Sequence, residues 1–197
     1  MKKAIIIFVR HPELGKVKTR LAKDIGDEAA LQVYKNLLQH THDIALQTQC
    51  DRFVFYADSV GENDLWEEAN FIKKLQHGGD LGERMKQAFD TVFTLGYQHV
   101  IIIGSDCPEL DTVLIENAFN RLGLYDAVIG PATDGGYYLL GLKVPFSPLF
   151  TNKNWSTDTV LADSINDIEI AQKSYWMLSP LSDIDTLADL VHHSQLR

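Results

Sequence analysis

Cysteine is nearly absent: Cys50 and Cys107 are the only two in 197 residues. Two thiols this far apart supply neither a disulfide framework nor a CxxC metal site, so both are expected to be free. Long apolar runs are missing as well. The longest, residues 4–9 and 100–103, fall far short of the roughly 20 residues that span a bilayer. The chain runs from its first lysines into a strand pattern with no signal-peptide pattern, and a cytoplasmic location is the expectation. Positive charge is scarce overall, with 18 Lys and Arg against 27 Asp and Glu. The net charge of −9 argues against nonspecific binding to nucleic acid or to an anionic membrane. Repeats, low-complexity tracts and linkers are also lacking. What remains is an ordinary globular composition, 45% hydrophobic and 23% charged, and a length that suits one domain over residues 1–197 with a full three-layer core.

The few bases are unevenly placed. Seven of the 18 fall within the first 23 positions, beside a single acid, Glu13, whereas from Ser105 onward 13 acids face five bases. A basic segment at one end and an acidic half at the other is what a site for metal and polyphosphate needs; accidental surface clustering is the competing explanation. The stretch IIIGSDCPEL at residues 101–110 sharpens the first reading. Val100, Ile101, Ile102 and Ile103 form a short β-branched run closed by Gly104 and Ser105, the pattern of a buried strand, and Pro108 prevents its continuation. Asp106 then stands at the strand tip, where open α/β sheets bind ligands. It is a candidate to hold a divalent cation against phosphates, or else it caps the helix that begins near Asp111.

Residues 4–9 read as another buried strand. The following loop carries Pro12 and Gly15 and three cations, Lys16, Lys18 and Arg20, which share a side if the segment is extended; Thr19 can cap a helix from Arg20. This is a candidate phosphate cradle or a solvated basic loop. It is not a Walker A motif, since Arg10 and Val17 stand where glycine and Ser or Thr are required. Residues 27–49 show helical spacing that includes Val33, Tyr34, Leu37 and Leu38. A strand at 53–57, a helix at 62–70 and a short strand at 71–76 are expected next. Gly78, Gly79 and Gly82 then crowd a loop before a helix at 83–95, a backbone anion cradle or a plain tight turn. A helix at 112–122 leads to a strand at 126–131. The turn Asp134-Gly135-Gly136 and a strand from Tyr137 follow too closely for a crossover, so these two strands should pair antiparallel or only locally. Asp134 is a candidate for acid–base work or sugar binding, and equally a good turn residue. Ser156 or Thr157 is expected to cap a later helix. Residues 174–178 form a last strand, and a terminal helix covers 187–193, with His192 and His193 facing solvent. Asp183 and Asp185 share one side of an extended segment or cap that helix.

Three stretches together, KVKTRLA at 16–22, GSDCPEL at 104–110 with DGGYYLLG at 134–141, and LSDIDTLADL at 181–190, resemble the glycosyltransferase-A-like nucleotide-diphospho-sugar transferases. Within them the chain is most similar to the bacterial arsenosugar-biosynthesis-type, radical-SAM-associated glycosyltransferases, formerly a domain of unknown function. More distantly it is similar to the guanylyltransferases for the molybdenum cofactor and for 2-phospholactate. The resemblance implies a three-layer α/β/α sandwich with a mostly parallel mixed sheet. It places Lys16, Lys18 and Arg20 on nucleotide phosphates and Gly78, Gly79, Gly82 and Arg84 along the nucleotide. Asp106 and Asp185 would hold Mg²⁺ or Mn²⁺; Asp134, Gly135, Gly136 and Tyr137 would face the sugar or acceptor. The chain departs from the nucleotidyltransferase pattern in lacking a full GxGTR-like loop, and from DxD in having Gly104 two places before Asp106.

The activity so implied is metal-dependent glycosyl transfer from a nucleotide-sugar to a small-molecule acceptor. Asp106 and Asp134 are its candidate catalytic residues. Guanylyltransferase-like nucleotidyl transfer with release of pyrophosphate would use nearly the same residues. A nucleotide-binding regulator without catalysis is the third possibility, because fold alone does not fix function.

Overall fold

The computed structural model describes residues 1–193. Its strands are β1 (Lys3–Val9), β2 (Asp51–Tyr56), β3 (Ile72–Leu75), β4 (His99–Ile103), β5 (Ala127–Pro131), β6 (Tyr137–Leu142) and β7 (Tyr175–Met177). They form one mixed sheet in the order β3-β2-β1-β4-β6-β5-β7. Neighbours run parallel except at β6, which is antiparallel to both β4 and β5. The helices are α1 (Thr19–Ile25), α2 (Asp27–Gln47), α3 (Leu81–Thr94), α4 (Thr112–Leu122), α5 (Val160–Ile170) and α6 (Leu187–His192). This is the α/β architecture expected from the strand and helix patterns.

Both faces of the central strands are covered, which is why they read as unbroken apolar runs rather than as alternation. Ile5, Ile7 and Val9 of β1 pack with Tyr34 and Leu38 of α2 and Ile115 and Phe119 of α4. Ala4 and Ile6 of the same strand face the other way, toward Met85, Phe89 and Val92 of α3 and Ile168 of α5. Fully burying one such isoleucine is worth about 2 kcal/mol, so the sheet anchors both helical layers. A third, smaller core joins Leu21 of α1, Val33 and Leu37 of α2, Ile184 and Leu190. It fastens the last described segment against the first helices.

Five local expectations are corrected. Residues 62–70 form no helix: Asp64 accepts from the Trp66 amide at 3.1 Å and from the Lys73 ammonium at 2.9 Å. Such side-chain bonds give the backbone an alternative to helix. At α1 the cap is Lys18, in a left-handed conformation, rather than Thr19. The loop before it turns instead of running extended, so Lys16, Lys18 and Arg20 do not share a side through alternation. Ser156 and Thr157 are not caps, since α5 begins at Val160 after Thr159. His193 is buried, its Nε2 without a hydrogen-bond partner among the described residues, because α6 packs down onto the small core.

The topology brings four separate segments to one sheet edge. β1 and β4 are parallel neighbours, Ile7 opposite Ile103, so the loops after both emerge together. β6 runs the other way, with Leu139 opposite Ile103, so its start and the Asp134 turn lie at that same edge. The segment 181–185 crosses over these tips: Leu181 bridges Ala132, and the Ile184 amide donates to the Asp106 carbonyl at 3.0 Å.

Candidate functional site

A cleft of about 540 Å³ opens at this edge. At its centre stands Lys18. Its side chain is 5% exposed, and its ammonium lies 2.7 Å from an Asp106 oxygen and 3.1 Å from an Asp185 oxygen. Burial alone would depress the lysine, but the negative charges of Asp106 and Asp185 more than offset it and raise its pKa. The residue is locked, charged, into the cleft. Its backbone, with φ 47°, lies in the region that costs a side-chain-bearing residue about 1–3 kcal/mol. The buried neighbour Val17 and the first turn of α1 hold it there.

Asp106 is free for this role because Asp111 caps α4, accepting from the Leu114 amide at 2.7 Å. Arg20 reaches the second oxygen of Asp185 at 3.5 Å from a largely exposed position. Lys16 stands at the cleft rim and pairs with Glu13. Asp183 and Asp134 bring two more carboxylates to the cleft wall. Burial, then the charges of Asp106 and Asp134, push the Asp183 carboxyl up to about 7, with Lys18 acting in the opposite sense. Five bases, Arg10, Lys16, Lys18, Arg20 and Arg84, line the same cleft, and of these Lys18 bridges Asp106 and Asp185.

The donors available to a metal are all carboxylate oxygens, the ligand type of hard divalent cations. Among the described residues no cluster of three or more His, Cys, Asp or Glu is arranged as a ready ligand set. Asp106 and Asp185 close instead on Lys18. Both carboxylates are partly exposed to the cleft and offer the oxygen donors that Mg²⁺ or Mn²⁺ takes, so these residues fit such a cation chemically.

The family described as "Uncharacterized protein conserved in bacteria (DUF2064)" matches residues 40–157, more than half of the chain. The chain belongs to DUF2064. A solved structure from Desulfovibrio desulfuricans G20, provisionally assigned as a nucleotide-diphospho-sugar transferase, is 34% identical. It superposes with a TM-score of 0.90 over 99% of this chain and 88% of that one. The 2-phospho-L-lactate guanylyltransferase of Methanocaldococcus vulcanius is 28% identical over 141 residues, 71% of this chain. The match takes in 61% of that relative's length, less than two thirds of it. The 4-diphosphocytidyl-2C-methyl-D-erythritol synthase of Anaerococcus prevotii, 10% identical with a TM-score of 0.64 over 100% of this chain and 99% of that one, shares the fold.

The DUF2064 match includes Asp106 and Asp134 and leaves Lys18 and Asp185 outside it. Lys16, Lys18, Arg20, Arg84, Asp106, Asp134, Gly136, Tyr137 and Asp185 all line the cleft. Gly78, Gly79, Gly82 and Gly135 do not line it. A Cβ on Gly82 would stand 2.5 Å from both the Phe150 carbonyl and the Trp155 indole, so this glycine lets α3 pack. The Gly79 amide is already taken by the Glu83 carboxylate at 2.7 Å, and Gly78 lies against Glu83 and Arg84. Gly135 presses on the Asp158 backbone. The Asp134 carboxylate accepts from the Gly136 amide at 2.9 Å, a turn bond that leaves it at the cleft surface.

Sequence reasoning missed Tyr34 and Trp155 as cleft residues. The Tyr34 hydroxyl accepts from the Arg10 amide and donates to the Arg10 carbonyl, fixing the start of the basic loop. A tyrosine on the apolar stripe of α2 was the available signal, since its hydroxyl needs a partner when buried. Cys107 also lines the cleft, but burial pushes its thiol up to about 12, so it serves packing rather than nucleophilic chemistry.

Proposed function

We propose that this chain is a nucleotidyltransferase. It moves a nucleoside monophosphate unit from a nucleoside triphosphate onto a phosphate-bearing small-molecule acceptor and releases pyrophosphate, in the cytoplasm. The observation that carries this reading is the buried Lys18 at the meeting point of the basic loop and the carboxylates of Asp106 and Asp185. The kinship with 2-phospho-L-lactate guanylyltransferases favours nucleotidyl transfer over its neighbours.

An acceptor oxygen attacks the α-phosphorus of the triphosphate; the bond to the bridging oxygen breaks, and pyrophosphate leaves with that electron pair. Lys18, Arg20 and Lys16 take up the charge that gathers on the departing group, the contribution that usually dominates such reactions. Arg84 contacts the nucleotide from the α3 side. Asp134 orients the acceptor oxygen, with Gly136 and Tyr137 along the acceptor, and Gly135 keeps the turn close to Asp158. Gly78, Gly79 and Gly82 act on the nucleotide only through the shape of their loop. Asp106 and Asp185 would hold Mg²⁺ or Mn²⁺, which would supply further charge neutralisation on the phosphates.

A pyrophosphate-release assay with each nucleoside triphosphate and a panel of phosphorylated hydroxy acids tests the reading. Acceptor-dependent pyrophosphate, lost on chelation, is the expected result. Glycosyl transfer is the second reading, favoured by the 34% identical nucleotide-diphospho-sugar transferase assignment. Release of a nucleoside diphosphate from a nucleotide-sugar, with no pyrophosphate from any triphosphate, would replace the first reading with it and bring the arsenosugar-type subgroup forward.

A further inference from the structure

Lys18 is held more tightly than a phosphate ligand on a flexible arm needs to be. Its ammonium is buried, while the two carboxylates it bridges are 44% and 49% exposed. Asp106 and Asp185 thus open to the cleft on one side and are closed by the lysine on the other. The ammonium engages one oxygen of each carboxylate. A divalent cation held by both carboxylates would stand within a few ångströms of that ammonium, and the two positive charges would repel across a partly desolvated gap. The backbone of Lys18 is fixed in its left-handed cap position, but four methylenes separate it from the ammonium, so the charged tip can travel while the backbone stays.

We infer that Lys18, besides meeting the phosphates, acts as an internal stand-in for the divalent cation: it bridges Asp106 and Asp185 in the free protein and yields them when cation and nucleotide bind together. The inference rests on the Mg²⁺ or Mn²⁺ assignment made above and adds an order to it. Cation alone must push aside a buried ammonium that loses two close carboxylate contacts, so it binds weakly. A triphosphate gives that ammonium new oxygens, and each ligand thereby strengthens the other, as reciprocal linkage requires. Between turnovers the stand-in keeps two carboxylates from repelling each other across an open gap. The cleft thus stays assembled without metal.

The test is Mn²⁺ binding followed by electron paramagnetic resonance, without nucleotide, on the wild type, Lys18→Met and Lys18→Arg. Lys18→Met is expected to bind Mn²⁺ at least tenfold more tightly than the wild type, and its lowered melting temperature to recover as Mn²⁺ is added. Lys18→Arg, which keeps the charge, is expected to stay weak. Unchanged or weaker Mn²⁺ binding by Lys18→Met would overturn the inference, because a lysine that serves only the phosphates has no reason to oppose metal. Should Lys18→Met not fold, reductive methylation of the wild type decides. Labelling of Lys18, read by mass spectrometry, should accelerate at saturating Mn²⁺, and an unchanged rate sinks the idea. Absence of Mn²⁺ binding to the wild type even with a triphosphate present would remove the metal assignment and this inference with it. Nucleotidyl transfer would then still be judged separately by pyrophosphate release.

Discussion

The loops after β1 and β2 each meet a buried lysine, and the two lysines are partnered in opposite ways. Lys73, 7% exposed, closes the loop at residues 57–71 by donating to the Asp64 carboxylate at 2.9 Å and the Gly61 carbonyl at 3.0 Å. Asp64 also accepts from the Tyr56 hydroxyl at 2.6 Å. Everything in that cluster comes from residues 56–73, and the charge balances one to one. Lys18 instead reaches Asp106 and Asp185 from distant parts of the chain, and both carboxylates are partly exposed to the cleft. A closed local pair is a fastening. A lysine shared between two exposed carboxylates from distant segments leaves a cluster that a ligand can enter.

The largest expected effect separates the two clusters outright. Asp106→Asn should lower turnover by about 10²–10³-fold with little change in melting temperature, whereas Asp64→Asn should leave turnover per folded molecule intact. Equal losses in both would break the distinction. Next, Lys73→Met strands Asp64 and should cost about 3 kcal/mol in urea unfolding, yet leave nucleotide affinity of the folded fraction unchanged. Gly82→Ala should cost about 1–3 kcal/mol, because the new methyl meets the Phe150 carbonyl and the Trp155 ring. Gly79→Ala, whose nearest neighbour would be 3.5 Å away, should be close to neutral. A smaller effect is pH-dependent. Burial alone would raise the Asp64 carboxyl, but its bonds to Lys73, Tyr56 and the Trp66 amide outweigh that and hold it below its ordinary value of 3.8. A depressed folded value contributes stability above the unfolded pKa that is lost as pH falls through the folded one. The stability gap between wild type and Asp64→Asn should therefore narrow from about pH 5 towards pH 2 in acid titration of the melting temperature. Smallest of all, Lys16→Ala removes an exposed pair with Glu13 and should leave the melting temperature unchanged within measurement error.

The same contrast explains what could be read from the sequence. The sheet was legible because strands buried on both faces are unbroken apolar runs, and β1 and β4 are such runs. Residues 62–70 were misread because a single carboxylate, Asp64, reorganises them through partners on β2 and β3 that no local pattern reveals. Asp106 was legible from its place after a buried strand, and Asp111 proved to be the cap that might have claimed it. The burial of Lys18 was not legible, since it depends on one left-handed residue and on carboxylates 88 and 167 positions away. The glycines at 78, 79 and 82 were ambiguous for the converse reason. Close approach is what a glycine permits, and Trp155 approaches Gly82 as Glu83 approaches Gly78.

Ile184, with no exposed surface, locks the segment bearing Asp185 into the small core beside Leu21, just after Lys18. As the polypeptide leaves the ribosome, Lys18, Asp106 and most of the sheet are available long before residue 185. Domains generally fold as units during synthesis, and here the clamp on Lys18 is completed only after every strand of the sheet has emerged. A nascent chain can thus carry a formed sheet while it is still without its second carboxylate, and the same stroke that seals Ile184 into the core arms the cleft.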